Sequence, residues 1–123
     1  RGHGLSIYYR DGQEWKRKRL LKVLANVGTE SQGIGVGDLN GDGLDDVALA
    51  DDAVGRVRVF FQTPQGEFEE LDPALQPKHV NRSMSVKITD VDGDGKNDVV
   101  LMYEYRTAAK TRAGGIRFFR NAG

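Results

Sequence analysis

One acidic segment occurs twice in this chain. Val36-Gly-Asp-Leu-Asn-Gly-Asp-Gly-Leu-Asp-Asp-Val-Ala-Leu-Ala50 returns as Ile88-Thr-Asp-Val-Asp-Gly-Asp-Gly-Lys-Asn-Asp-Val-Val-Leu-Met102, and its leading aspartates, Asp38 and Asp90, stand 52 residues apart. A second element recurs as well: Gly55-Arg-Val-Arg-Val-Phe-Phe61 is matched by Gly115-Ile-Arg-Phe-Phe119 and by Gly4-Leu-Ser-Ile-Tyr-Tyr9. Self-similarity at this period restricts the fold more than any other feature, because each copy must be one supersecondary unit that buries its apolar face against the next.

The copies read as strands. Val57, Val59 and Phe61 alternate with Arg58 and Phe60 in a β-branched and aromatic run, the pattern of a half-buried strand. Turns rich in Gly, Asp, Asn or Pro follow at Asp11-Gly12, Thr63 to Gly66 and Asn121 to Gly123, and outer strands carrying Trp15 and Phe68 follow the first two. The count is two strands before residue 25, four between about Ser31 and Leu71, and three from about Ser83 onward. The fold class is therefore all-β, with β-propeller-type blades built as four-stranded antiparallel meanders. About two blades plus partial flanking strands are present, where closed propellers need roughly 4 to 8. Residues 1–25 are read as the last two strands of a preceding blade. Residues 26–78 form a complete blade with the first acidic loop, and 79–123 a second blade with the second loop and its outer strand missing. Such a piece is expected to belong to a longer propeller or to complete itself by self-association. Tyr8, Tyr9, Phe60, Phe61, Phe118 and Phe119 are expected to pack between blades.

Composition narrows the chemistry. With no cysteine and two isolated histidines, His3 and His79, thiolate and zinc sites lack ligands, so a metal would have to be held by oxygen. Eighteen basic residues balance eighteen acidic ones, which leaves no global field toward nucleic acid, and no apolar run reaches the ~18 residues of a membrane span. The basic run from Trp15 to Lys22 falls on an outer strand, where Lys and Arg protect a sheet edge, so no nucleic-acid partner is assigned. No serine occupies a nucleophile elbow and neither histidine has a recognisable acidic partner, so no enzyme activity is expected.

The acidic loops offer oxygens at places 1, 3, 5, 7 and 9. In the first these are Asp38, Asn40, Asp42, the carbonyl of Leu44, and Asp46; in the second Asp90, Asp92, Asp94, the carbonyl of Lys96, and Asp98. A glycine at place 6 permits the sharp turn. Such a cage suits Ca²⁺, which takes 6–8 oxygens at about 2.3–2.6 Å, better than Mg²⁺, which holds its waters in a tight octahedron. Two calcium sites are expected. The second, with Asp92 in place of Asn40, carries one more formal charge and is expected to bind the more tightly. Place 12 is Leu49 or Leu101, where an EF-hand requires glutamate, and the flanks are short apolar runs in place of amphipathic helices. Each loop is thus placed at a hairpin tip between the first two strands of a blade. Asp45, Asn97, Asp51 and Asp52 adjoin the pattern and are read as turn or surface residues.

Asp38 to Val47 and Asp90 to Val99 resemble the FG-GAP or VCBS repeats of integrin-α-type β-propellers. The bacterial-style VCBS form is the closer likeness, since Phe-Gly and Gly-Ala-Pro signatures are not evident. The resemblance implies calcium in the first hairpin loop of each blade and an extracellular, secreted or cell-surface protein. Within such a protein the chain would be a structural or adhesive module with a protein or glycan ligand. The alternatives are the non-catalytic part of a secreted polysaccharide-active enzyme or lectin, and a self-assembling fibre or ring subunit.

The repeat has one irregularity. Between the second and third strands, the second blade is seven residues longer than the first, from Glu104 to Gly115 against Asp51 to Gly55. Arg106, Lys110 and Arg112 in this stretch are the candidate ligand-binding residues. They are expected on the side opposite the acidic loops, near the connectors Asn26 to Ser31 and Asp72 to Ser83.

Overall fold

A computed structural model describes residues 5–21, 33–51, 54–78 and 82–121. These residues form nine strands in three sheets. The first sheet pairs β1 (Leu5–Asp11) with β2 (Glu14–Leu21). The second holds β3 (Ile34–Gly37), β4 (Asp46–Asp51), β5 (Arg56–Gln62) and β6 (Phe68–Glu70), and the third β7 (Arg82–Thr89), β8 (Asp98–Arg106) and β9 (Arg112–Phe119). All pairings are antiparallel between consecutive strands, so each sheet is a meander and the all-β, propeller-like architecture is present. A 3₁₀ turn at Pro73–Leu75, capped by Asp72 accepting from the Ala74 N–H, was not foreseen. His3, His79, Asp52 and the connector Asn26 to Ser31 lie outside the described residues. No helix among the described residues is long and apolar enough to cross a membrane.

The core lies between the second and third sheets. Ala48, Ala50, Val57 and Val59 meet Val86, Val99 and Leu101, with Leu39 closing one end and Phe61, Leu71, Ile88 and Phe119 packed around them. Full burial of such an aliphatic side chain contributes about 1.5–3 kcal/mol. Glycine sets the spacing here. A Cβ on Gly37 would fall 2.7 Å from Ile88 Cγ2, and one on Gly33 would fall 2.9 Å from the backbone nitrogen of Val86. The inner edge of the second sheet therefore admits β7 nearly to backbone contact.

Across the other face of the second sheet lies the β1–β2 hairpin. Lys18 Nζ reaches Glu67 Oε2 at 2.6 Å and the Gly66 carbonyl at 3.1 Å. Lys16 pairs with Asp11 at 2.7 Å within the hairpin. Ile7 and Tyr9 line a cleft of about 620 Å³ with Val36, Val47 and Phe68. Arg58 spans this face: its Nε and Nη2 hold Glu70 at 2.8 and 2.9 Å, its Nη1 reaches the buried Asp51 at 3.3 Å, and its guanidinium lies over Phe60.

The expected aromatic core is only partly realised. Phe60 is buried and Phe61 and Phe119 are half-buried, but Tyr8, Tyr9 and Phe118 are exposed. Cross-strand register explains Phe118. Val47 faces Phe60 and Val99 faces Phe119, so Phe119 corresponds to Phe60 and not to Phe61. A shift of one residue moves a side chain to the other face of a strand, which puts Phe118 on the outer face of the third sheet.

Candidate metal centre

Both acidic loops sit at hairpin tips, one joining β3 to β4 and the other β7 to β8. Their folding is local and identical. Asp38 Oδ1 accepts the N–H groups of Gly41 and Asp42 at 2.8 and 3.2 Å, and its Oδ2 accepts that of Gly43 at 2.7 Å. Asp90 does the same with Gly93, Asp94 and Gly95 at 2.9, 3.2 and 2.8 Å. For the chain to wrap a single carboxylate so tightly, place 6 must adopt positive φ, 84° at Gly43 and 87° at Gly95, a region open to glycine. Asn40 and Asp92 each accept from the place-5 N–H at 3.3 Å. Asp42 and Asp94 each accept the N–H of place 7, Leu44 and Lys96, at 2.9 Å.

The last carboxylate of each loop comes from the buried first residue of β4 or β8. Asp46 and Asp98 are 0% and 1% exposed. Asp46 accepts the N–H groups of Leu39 at 2.8 Å and Gln62 at 2.9 Å, and Asp98 those of Val91 at 3.1 Å and Asn121 at 2.8 Å. Each therefore ties the start of its loop to the end of the third strand of its blade. Electrostatics differ within one loop. Burial pushes the Asp46 carboxyl above its ordinary value, while the Gly43 N–H, followed by those of Gly41 and Asp42, holds Asp38 below its own.

The donor set fits a hard divalent cation. Carboxylate oxygens of Asp38, Asp42 and Asp46 lie within 4.8 Å of one another, as do those of Asp90, Asp92, Asp94 and Asp98. Oxygens on opposite sides of one calcium ion are about 4.6–5.2 Å apart, so a single ion could touch every member of either set. Of the sequence-assigned residues, these seven aspartates are gathered, with Asn40, Leu44 and Lys96 in the same two loops.

Three residues outside that assignment join the loops. Asn97 Nδ2 donates to the Asp38 carbonyl at 2.9 Å, and Asn121 Nδ2 donates to the Leu39 carbonyl at 2.6 Å, so the second blade holds the first loop in place. Arg120 Nε donates to Asp92 Oδ2 at 2.7 Å. Reading Asn97 and Asp51 as turn or surface residues is corrected: Asn97 bridges the blades, and Asp51 is 1% exposed beneath Arg58. Asparagine at place 8 next to an aspartate carried no signal of a partner 59 residues away.

Arg106, Lys110 and Arg112 lie at the opposite end of the third sheet, as expected, but not in a loop insertion. The additional residues lengthen β8 and β9 as a regular hairpin that closes with Arg106 opposite Arg112, around a turn in which Lys110 has φ 63°. All three are exposed. Arg106 Nη1 donates to the Lys110 carbonyl at 3.3 Å, and Arg112 lies 3.9 Å from Glu104.

The chain matches no curated protein and no solved structure in the comparisons made. A family model described as an FG-GAP-like repeat matches residues 38–101, from the first aspartate of one acidic loop to the buried leucine beyond the other. With two copies of one hairpin-borne acidic loop and the strands that separate them inside that match, the chain belongs to the FG-GAP-like repeat family.

Proposed function

We propose that the two acidic loops each bind a calcium ion and that the chain is a calcium-stabilised, non-catalytic propeller module working outside the cell. The observation that carries this reading is the gathering of three and four carboxylates, each set within the span of one ion, at matching hairpin tips. Uncompensated, such clusters repel, and an ion bound only by the folded chain adds stability by mass action, about 2.7 kcal/mol at a hundredfold excess over its dissociation constant. Loops of this kind are suited to the millimolar calcium of extracellular fluid. The ion's work here is structural: it fixes the turn that joins the first two strands of each blade. A thermal melt in chelator and in millimolar calcium tests the reading. Calcium should raise the midpoint by about 5 °C or more, and D42N/D94N should abolish the rise. A midpoint that ignores calcium overturns the proposal.

The β8–β9 hairpin supports an adhesive role within the same reading. Like charges directly opposite one another in a sheet are destabilising, and the Arg106–Arg112 pair is offset only by the 3.9 Å approach of Glu104 to Arg112 and the bond from Arg106 to the Lys110 carbonyl. We assign the hairpin, with Lys110, to an anionic group of a protein or glycan ligand. Unchanged binding to acidic glycan and protein arrays by R106A/K110A/R112A would remove that assignment.

A further inference from the structure

The second acidic loop receives an arginine from outside its own sequence. Arg120 follows β9, and its Nε lies 2.7 Å from Asp92 Oδ2 while its Nη2 lies 3.6 Å from Asp94 Oδ2. In the first blade the corresponding residue is Phe61, because the residues just beyond, Gln62 and Asn121, make the same N–H bond to Asp46 and Asp98. The loops differ in a matched way at place 3. Asn40 Oδ1 and Asp92 Oδ1 do the same work, each accepting the N–H of place 5. It is Asp92 Oδ2, standing where asparagine would carry its amide nitrogen, that Arg120 engages. The second loop thus has both a further carboxylate and a guanidinium, where the first has Asn40 and Phe61. Three ligating carboxylates in the first loop give a formal charge of −3; four in the second, with Arg120, give −3 again.

We propose that Arg120 is a resident counter-cation of the second loop. It holds Asp92 and Asp94 against their mutual repulsion when no ion is bound, and it lowers the loop's affinity for a divalent cation toward that of the first. Guanidinium suits this role, since it remains charged at any physiological pH and its planar fork can face two carboxylates at once. Its 66% exposure leaves it room to swing aside when an ion enters. The affinity ranking by counting carboxylates, with the second loop tighter, is then cancelled by the arginine. The ion-binding half of this proposal rests on the calcium reading above; the ion-free half does not.

The test uses the full chain and two variants, R120A and D92N/R120A. In chelator, R120A should melt a few degrees below wild type, and D92N/R120A should regain most of the loss. In a calcium titration followed at the backbone N–H signals of Gly43 and Gly95, R120A should tighten the Gly95 response about two- to fivefold, the range of an exposed ion pair, and leave Gly43 unchanged. An R120A chain with the wild-type melt in chelator and the wild-type Gly95 midpoint overturns the proposal while calcium binding stands. Signals at Gly43 and Gly95 that ignore calcium in wild type overturn the metal reading instead, and the chelator melts then decide the arginine's role alone.

Discussion

The two faces of the second sheet are built on opposite plans. Toward the third sheet, Gly33, Gly35 and Gly37 on the inner edge, with Ala48 and Ala50 beside them, leave so little side chain that β7 packs against backbone. Toward the β1–β2 hairpin, Ile34 and Val36 remain 52% and 58% exposed, a cleft lies between the elements, and Lys18 does the joining through Glu67 and the Gly66 carbonyl, while Arg58 with Glu70 and Asp51 braces the sheet's own strands. Residue size at the inner strand decides which plan a face follows. Small residues let two sheets share one dry core, whereas larger ones hold the neighbour off and leave the work to the rim. On the outer face of the third sheet the corresponding places are larger, for Lys87 stands where the second sheet has Gly35 and Met102 where it has Ala50.

Breaking the close-packed face should have the largest effect. Leu101→Ala, at 0% exposure in the centre of that core, should cost about 2–5 kcal/mol in urea unfolding, against under about 0.5 kcal/mol for Val36→Ala on the open face. Equal losses from the two would erase the contrast. Gly33→Ala comes next at about 2–4 kcal/mol, since it combines positive φ with a clash against the Val86 backbone. Gly12→Ala, also at positive φ but with open space around it, isolates the conformational part and should cost less. If the two glycines prove equally tolerant, close approach does not set the spacing.

Acid should act on the open face through Glu70. Arg58 first, and Gln76 to a smaller extent, hold its carboxyl below the ordinary glutamate value. A lowered folded-state pKa contributes stability above the unfolded value of 4.5, and that stability is lost as pH falls through the lowered one. E70Q should therefore lose up to about 1 kcal/mol near neutrality, discounted for its partial exposure, and show a shallower acid decline than wild type. A decline of unchanged slope would place the acid sensitivity elsewhere. The last effect, as small as that of Val36→Ala, is expected from Lys18→Ala, under about 0.5 kcal/mol and shrinking with salt, because the pair with Glu67 is largely exposed.

What the sequence showed follows from which interactions are local. Period-two alternation and turn residues revealed nine strands, and the spacing of Asp38, Asp42 and Asp46 revealed a folded loop, because the bonds that wrap it, from Gly41, Asp42 and Gly43 to Asp38 and from Leu39 to Asp46, run within nine residues. Register across strands was not legible to one residue, and that single step separates Phe118 in solvent from Phe119 against the core. Arg120 and Asn121 were invisible for the same reason. Their roles depend on where β9 ends beside β8, and nothing near them in the chain resembles a ligand pattern. The longer link from Glu104 to Gly115 looked like an insertion since Thr, Ala and Gly interrupt its alternation, yet its backbone pairs continue to Arg106 and Arg112.

The bond from Asn121 to the Leu39 carbonyl spans 82 residues, and its companion from Asn97 spans 59. On a ribosome adding about 5–20 residues per second, the donor would be made roughly 4–16 s after its acceptor. The segment translated early thus waits for one translated late, and its completion marks the moment when both neighbouring blades have emerged.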